Sequence, residues 1–170
     1  RVGRLTVCRM ITLKSYLRGE WVEGQGKKAT LVNPTTGEAI AEAGTDGIDF
    51  GLAVQHAREH GGPALRAMTF AERGAMLKAL SKAIHAEREA LIEVSIQNGG
   101  TTRGDAKFDI DGASATLAFY ARLGKQLGDA KVIAEEEEQL TDSARFFGRH
   151  VWSSLRGVAV HVNAFNFPAW

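Results

Sequence analysis

The pattern of apolar and polar positions divides the chain into strands, then helices, then strands again. Residues 13–22 alternate loosely between apolar and polar side chains, and residues 30–43 form two alternating runs around the turn sequence NPTTG. These patterns predict an edge strand followed by a β-hairpin. From Asp46, which we expect to be a helix N-cap, apolar residues recur at helical spacing up to the GGP sequence of residues 61–63, where we expect the helix to stop.

Capping residues predict three further helices. Thr69 and Glu72 have the spacing of a capping box, and a regular apolar face follows them. A second helix is expected to end at the Asn-Gly-Gly sequence of residues 98–100. Thr102 is expected to cap a third, long helix.

The residues that organise our interpretation are 157–170, which read GVAVHVNAFNFPAW. Residues 158–162 are almost wholly apolar and β-branched, which predicts a strand buried on both faces of a parallel sheet. Pro168 cannot donate to a strand ladder and biases the residue before it away from helix, so a turn is predicted there. Ligands of open α/β sheets bind beyond the carboxyl ends of the strands. Asn166, in that turn, is therefore a candidate site residue.

Composition changes this picture little. Hydrophobic residues at 44% and charged residues at 24% are ordinary for a soluble globular protein of 170 residues. The net charge of +1 gives no support to a nucleic-acid or membrane-surface role, and no apolar run approaches the ~20 residues that span a bilayer. The single cysteine, Cys8, argues against a disulfide framework and favours a cytoplasmic location.

Several candidate motifs have simpler structural interpretations. Residues 24–29 match the dinucleotide pattern G-x-G-x-x-A but lack its flanking strand and helix, so we expect a loop. His56 and His60 are four residues apart, but no third ligand is near them in sequence, so we expect no metal site. Residues 135–138 are expected to form an exposed acidic loop. Three acidic residues lie early in the long helix that Thr102 is expected to cap: Asp105, Asp109 and Asp111. They lack EF-hand spacing, so we expect them to form a solvated face of that helix.

The end of the chain resembles a segment of the aldehyde dehydrogenase family, in which a parallel strand runs into an Asn-Phe-Pro turn. Residues 166–168 match that turn, whereas Ala-Phe at residues 164–165 stands where the family usually has Pro-Trp. Residues 61–80 and 98–112 add to the likeness. Within the family, they resemble the semialdehyde dehydrogenases of aerobic benzoate and phenylacetate degradation through coenzyme A thioesters. The resemblance covers about residues 13–170.

The resemblance implies an α/β fold: the incomplete N-terminal part of an aldehyde dehydrogenase, with edge strands, a helical layer and the first strand of a Rossmann-like parallel sheet. Residues 10–143 would be the N-terminal part of the cofactor-binding domain. Residues 144–156 would be an oligomerisation strand, and residues 157–170 the first parallel strand with its turn. Residues 1–9 precede Met10 and are expected to lie upstream of the natural start.

The resemblance also implies a chemistry. In the family, the asparagine of the turn points its amide at the carbonyl oxygen of the substrate, which makes Asn166 the catalytic candidate. From the residue pattern alone, Asn166 could equally tie down the turn through backbone hydrogen bonds. Asn163, Ala164 and Phe165 would line the nicotinamide side of a cofactor groove. The cofactor is expected to be NADP, with NAD possible.

The family's nucleophilic cysteine, glutamate base and phosphate-binding glycines correspond to positions beyond Trp170, so we expect these 170 residues alone to be inactive. The expected substrate is an aldehyde bound as a coenzyme A thioester, and the full-length protein is expected to be a homo-oligomer. Two alternatives stay open. The substrate could be a simple free aldehyde. Alternatively, if the chain ends at residue 170, the protein could be a non-catalytic helical module that binds a partner.

Overall fold

The computed structural model describes residues 10–143 and 145–170. The predictions for residues 1–9, including Cys8, lie outside the described residues, as does Ala144 at the start of the predicted oligomerisation strand. Among the helices of the described part, none is both long enough and apolar enough to cross a membrane.

A small mixed sheet begins the fold. Its central strand, β5 (Ala39–Ala43), pairs in parallel with β1 (Ile11–Thr12) and antiparallel with β4 (Ala29–Val32). The predicted hairpin is confirmed, because the side-chain oxygen of Asn33 accepts the backbone N–H groups of Thr35 (2.9 Å) and Thr36 (3.3 Å) in the turn between β4 and β5.

The single edge strand predicted for residues 13–22 is wrong. The segment is a second hairpin, in which β2 (Ser15–Leu17) pairs antiparallel with β3 (Glu20–Val22). Arg18 and Gly19 connect the two strands with φ angles of 53° and 90°. Both angles are left-handed, and this conformation reverses the chain within two residues.

The first helical segment starts later and ends later than predicted. Helix α1 (Phe50–His56) is capped by Asp49, whose side chain accepts the Leu52 N–H at 3.0 Å. The predicted cap, Asp46, instead accepts the Lys27 N–H at 3.1 Å. The predicted stop at residues 61–63 is also wrong, because a π-helical turn (Ala57–Gly61) leads directly into α2 (Gly62–Ala67). The proline there lies in the first turn of α2, where a missing N–H does no harm.

Among the three long helices, the predicted starts of the first and third and the predicted end of the second are confirmed. Their bounds are α3 (Phe70–Ala86), α4 (Arg88–Gly99) and α5 (Arg103–Leu127). The capping box is confirmed, since Thr69 and Glu72 each accept the other's backbone N–H, at 3.2 and 2.7 Å. The Thr102 cap is confirmed by the Asp105 N–H at 3.2 Å, and Gly100 ends α4 with a left-handed φ of 64°.

Helices α3 and α5 pack closely because two glycines face each other. A Cβ atom on Gly124 would lie 3.0 Å from the Gly74 Cα and 2.6 Å from the Phe70 carbonyl oxygen. Helix α4 packs on the N-terminal half of α5 through a buried cluster of Ile92, Ala106 and Ile110. These contacts make α5 the centre of the helical layer.

A two-stranded antiparallel ribbon follows α5. It is formed by nested pairs, β6 (Ile133–Ala134) with β9 (Val151–Trp152) and β7 (Glu138–Gln139) with β8 (Phe147–Gly148). The predicted strand at residues 144–156 is thus two short strands. The acidic residues 135–138 are all exposed, as predicted, and only Glu138 belongs to a strand. They face basic residues of the ribbon, as in the 3.1 Å pair of Glu137 with Arg149.

The structure overturns the predicted strand at residues 158–162. The segment is not part of any ladder among the described residues, and Val160 and Val162 are 81% and 91% exposed. A parallel strand forms only beside a neighbour with which it exchanges backbone hydrogen bonds. The described residues provide no such neighbour here, so the apolar pattern alone does not produce a strand. The mixed α/β class is confirmed, but the first strand of the parallel sheet is not formed.

Candidate functional site

The candidate site is the turn formed by residues 164–167. The Phe167 N–H donates to the Ala164 carbonyl oxygen at 3.2 Å, and the same two residues form an isolated antiparallel bridge. This pairing places Phe165 and Asn166 at the tip of the turn. Phe165 is 92% exposed, and Asn166 is also exposed.

The two asparagines of this segment have different surroundings. The Asn163 amide nitrogen donates to the Pro168 carbonyl oxygen at 2.6 Å and so braces the turn from one side to the other. Within the described residues, the Asn166 amide makes no hydrogen bond. The hydrogen bond from Asn163 braces the turn, so the turn does not need the Asn166 amide. The Asn166 amide is therefore available to bind a ligand.

One stripe of α5 holds the turn in place, and we call it the docking stripe: Phe108, Asp109, Gly112 and Thr116. The Phe108 ring contacts the rings of Phe167 and Trp170 edge-on, with centroids 6.2 and 5.0 Å apart. The Thr116 hydroxyl accepts the Trp170 indole N–H at 2.9 Å. The stripe follows helical spacing, and its side chains therefore form one continuous surface.

Gly112 lets the Trp170 indole lie directly on the helix. A Cβ atom at position 112 would come within 2.5 Å of the indole ring. This role is not predictable from the sequence, because Gly112 looks like an ordinary small residue inside a helix.

Asp109 was predicted to belong to a solvated face, and this prediction is wrong. It is 2% exposed, not part of a solvated face. Its carboxylate accepts the backbone N–H groups of Ala169 at 3.1 Å and Trp170 at 2.8 Å. The available signal was its position on the helix, since Ala106 and Ala113, three residues before and four after, belong to the buried face.

Asp111, two residues further on, has a different environment. The Arg88 guanidinium donates to both of its carboxylate oxygens, at 2.6 and 2.9 Å, and thereby ties α4 to α5. These hydrogen bonds hold the pKa of Asp111 below its ordinary value, since they favour the charged carboxylate. Arg88 thus binds Asp111 and also Glu89, whereas the Asp109 carboxylate binds the backbone after the turn.

The three predicted cofactor-binding residues follow one another at the start of the turn, and all three are exposed. The Asn163 side chain is engaged with Pro168, whereas Ala164 is small and Phe165 presents an exposed ring. A small residue beside an apolar ring suits one face of a planar nicotinamide. The G-x-G-x-x-A segment is a loop, as predicted, and among the described residues it leads into β4 rather than into a helix. The role of Asn163, Ala164 and Phe165 in cofactor binding stays a prediction.

The histidine pair on the first helical segment has no third possible metal ligand beside it among the described residues. The rings of His56 and His60 lie 4.7 Å apart, centroid to centroid. Across residues 10–143 and 145–170, no group of three or more possible ligands comes together.

Solved aldehyde dehydrogenases share the arrangement of these strands and helices. An NAD-dependent benzaldehyde dehydrogenase from Corynebacterium glutamicum superimposes with a TM-score of 0.61, covering 75% of this chain and 27% of its own, at 24% identity. Lactaldehyde dehydrogenase from Escherichia coli gives a TM-score of 0.65, covering 80% of this chain and 27% of its own, at 19% identity. The described residues thus form part of the mixed α/β fold that these enzymes have in common.

The sequence comparison agrees with the fold. Residues 21–170 match the aldehyde dehydrogenase family, and the chain belongs to that family, as the Asn-Phe-Pro turn predicted. The 3,4-dehydroadipyl-CoA semialdehyde dehydrogenase of Aromatoleum evansii is 45% identical over 159 residues, which are 93% of this chain and 31% of that enzyme. Glutarate-semialdehyde dehydrogenase of Pseudomonas putida is 24% identical over 168 residues, 98% of this chain and 33% of that enzyme. The chain spans about a third of the length of these relatives.

Proposed function

We propose that this chain is the N-terminal part of an NAD(P)-dependent aldehyde dehydrogenase, and that Asn166 donates a hydrogen bond to the carbonyl oxygen of the aldehyde. The observation that carries the proposal is the free, exposed amide of Asn166 on a turn that other residues hold in place. Family membership supplies the reaction: oxidation of an aldehyde to an acid.

An asparagine amide suits this role for a chemical reason. Attack of a nucleophile on the aldehyde places negative charge on the carbonyl oxygen, and an amide N–H donates to that charge without itself being an acid at neutral pH. A donor held in position before the reaction stabilises the transition state by roughly 2.7–4 kcal/mol.

The nicotinamide cofactor, when bound, would accept the hydride from the substrate. Ala164 and Phe165 would lie against its ring, and Asn163 would contribute by keeping the turn in shape. We propose NADP as the preferred cofactor, with NAD as the alternative. Steady-state kinetics of the full-length protein with each cofactor would decide between them, and a higher kcat/KM with NAD+ would contradict the preference.

We propose a semialdehyde bound as a coenzyme A thioester in aromatic catabolism as the substrate. The 45% identity to the dehydroadipyl-CoA semialdehyde dehydrogenase supports this choice. The test compares kcat/KM of the full-length protein for a CoA-bound semialdehyde and for the same semialdehyde without CoA. A clear preference for the free compound would instead favour a simple aldehyde, the class suggested by the likeness to glutarate-semialdehyde dehydrogenase.

The Asn166 role has its own test. Replacing Asn166 with alanine or with aspartate removes the amide donor, and we expect kcat to fall roughly 10²- to 10³-fold. Asn98→Ala, an exposed asparagine at the end of α4, is the matched control and should keep wild-type kcat. Wild-type kcat in both Asn166 variants would refute the proposed role.

Three further expectations belong to this proposal. The full-length protein would be a cytoplasmic homo-oligomer, which light scattering and cell fractionation would test. The exposed side chains of Val151 and Trp152 in the ribbon are consistent with a subunit contact there. The isolated 170-residue chain would not oxidise aldehydes, and any NADP+-dependent turnover by it would contradict this expectation.

A further inference from the structure

We propose that Asp109 is a positioning residue for the reaction: its buried carboxylate fixes the backbone just after the Asn-Phe-Pro turn and so sets where the Asn166 amide points. This inference rests on the proposed function of Asn166 and extends it to a residue on a different element. Asp109 lies on α5, 57 positions before Asn166 in the numbering of the chain.

The first step is the burial of a carboxylate. Asp109 is 2% exposed, and its neighbours on the buried face of α5 include Ala106, Ile110 and Ala113. A carboxylate in such surroundings is strongly disfavoured unless other groups compensate its charge. Among the described residues, no lysine, arginine or histidine forms an ion pair with it. Its compensation comes from the two backbone N–H groups of Ala169 and Trp170.

The second step is the geometry of these two bonds. One carboxylate oxygen accepts the Ala169 N–H at 3.1 Å, and the other accepts the Trp170 N–H at 2.8 Å. Two bonds from one planar group to consecutive backbone donors fix the direction of the segment as well as its distance from the helix. A single hydrogen bond would leave the segment free to swing.

The third step connects the clamp to Asn166. Only Phe167 and Pro168 separate Asn166 from Ala169. Pro168 has a fixed φ, and its carbonyl oxygen is held by the Asn163 amide at 2.6 Å. Phe167 is paired with Ala164 across the turn. With so few free torsions between them, a displacement at Ala169 is passed on to Asn166.

The fourth step is the reason to assign positioning rather than stability. The aromatic contacts of Phe108 and the indole hydrogen bond to Thr116 already attach this segment to α5. A buried polar group is a poor source of stability compared with an apolar side chain, but it can specify one arrangement among several. Asp109 therefore selects the register in which the segment lies on the docking stripe.

The experiment is a double-mutant cycle on the full-length protein, with kcat and KM measured for the aldehyde. Asp109→Asn keeps the size of the side chain but replaces one acceptor oxygen with a donor. We expect kcat to fall roughly 10- to 100-fold, as for a misplacement of about 1 Å, with KM nearly unchanged. In the Asn166→Ala background, the same substitution should have no further effect on kcat, because the group that it positions is gone.

The matched control is Asp105→Asn, the same change at an exposed position one turn earlier on α5. It should leave kcat unchanged even if it lowers stability. Where Asp109→Asn does not yield folded protein, Asp109→Glu keeps the charge and both acceptor oxygens but is one methylene longer. We expect this variant to fold and to show a lower kcat, and a wild-type kcat in it would overturn the proposal.

The outcomes separate the two ideas. If Asn166→Ala lowers kcat but folded Asp109→Asn does not, the positioning role is wrong and the Asn166 role stands. If Asp109→Asn lowers kcat by the same factor with and without Asn166, Asp109 acts by another route and the proposal is also wrong. If Asn166→Ala leaves kcat unchanged, the proposed function of Asn166 itself fails.

Discussion

The contact between Gly74 and Gly124 makes a prediction about stability that does not depend on the catalytic proposal. Replacing Gly124 with alanine would put a Cβ atom 2.6 Å from the Phe70 carbonyl oxygen and 3.0 Å from the Gly74 Cα. Ordinary contacts begin at 3.4 Å. Both neighbours are backbone atoms, which cannot rotate away as a side chain would, so α3 and α5 would have to separate.

Two opposing effects set the size of the change. Overpacking a well-packed contact costs about 1–3 kcal/mol, and a clash with backbone belongs at the upper end of that range. Alanine regains about 1 kcal/mol over glycine through its higher helix propensity. The net expectation is a loss of about 2 kcal/mol in the free energy of unfolding.

Urea denaturation followed by far-UV circular dichroism measures this loss. Gly104→Ala is the control on the same helix, because a Cβ atom there would meet only one atom of the described residues, the Thr102 hydroxyl oxygen at 3.6 Å. It should leave stability unchanged or raise it by up to about 1 kcal/mol. If Gly124→Ala is as stable as Gly104→Ala, the close packing of α3 on α5 is not what the structure indicates, and the reasoning is refuted.

Two other changes test the helical layer and the docking stripe. Asp111→Asn should lower stability at neutral pH. Because Arg88 lowers the pKa of Asp111 in the folded protein, the difference from wild type should begin to shrink as the pH falls below the ordinary value of 3.8 and should be lost only below the lowered pKa. A difference that stays constant down to strong acid would contradict this interpretation. Gly112→Ala would place a Cβ atom 2.5 Å from the Trp170 indole. The substitution should therefore destabilise the protein by about 1–3 kcal/mol and lower kcat. An unchanged melting temperature and kcat would show that the indole does not lie on the helix at this position.

Features that depend on a few neighbouring residues were predictable from the sequence. The capping box at Thr69 and Glu72, the cap at Thr102, the αL glycine at Gly100 and the turn at Asn33 are local hydrogen-bonding patterns. Each pattern joins residues that lie within about four positions of one another, so it can be predicted from the local sequence alone.

Features that depend on distant partners were not predictable in the same way. The apolar residues 158–162 suggested a strand, but a strand exists only in a ladder, and the described residues offer no neighbour to that segment. Asp109 looked like a surface residue because its two partners lie 60 and 61 positions away. The Asn-Phe-Pro motif predicts the turn from the sequence, but the packing of the turn on α5 depends on tertiary contacts.

Helix α5 is bound at both halves, and this restricts how its length can vary during evolution. Its N-terminal half carries the docking stripe, and Gly124 near its C-terminal end is locked against α3. One residue inserted between these contacts would rotate one half against the other by about 100°. The stripe and the glycine contact could then not both be satisfied. Side chains along this stretch can be exchanged one at a time, but insertions and deletions should be confined to the loops on either side of the helix.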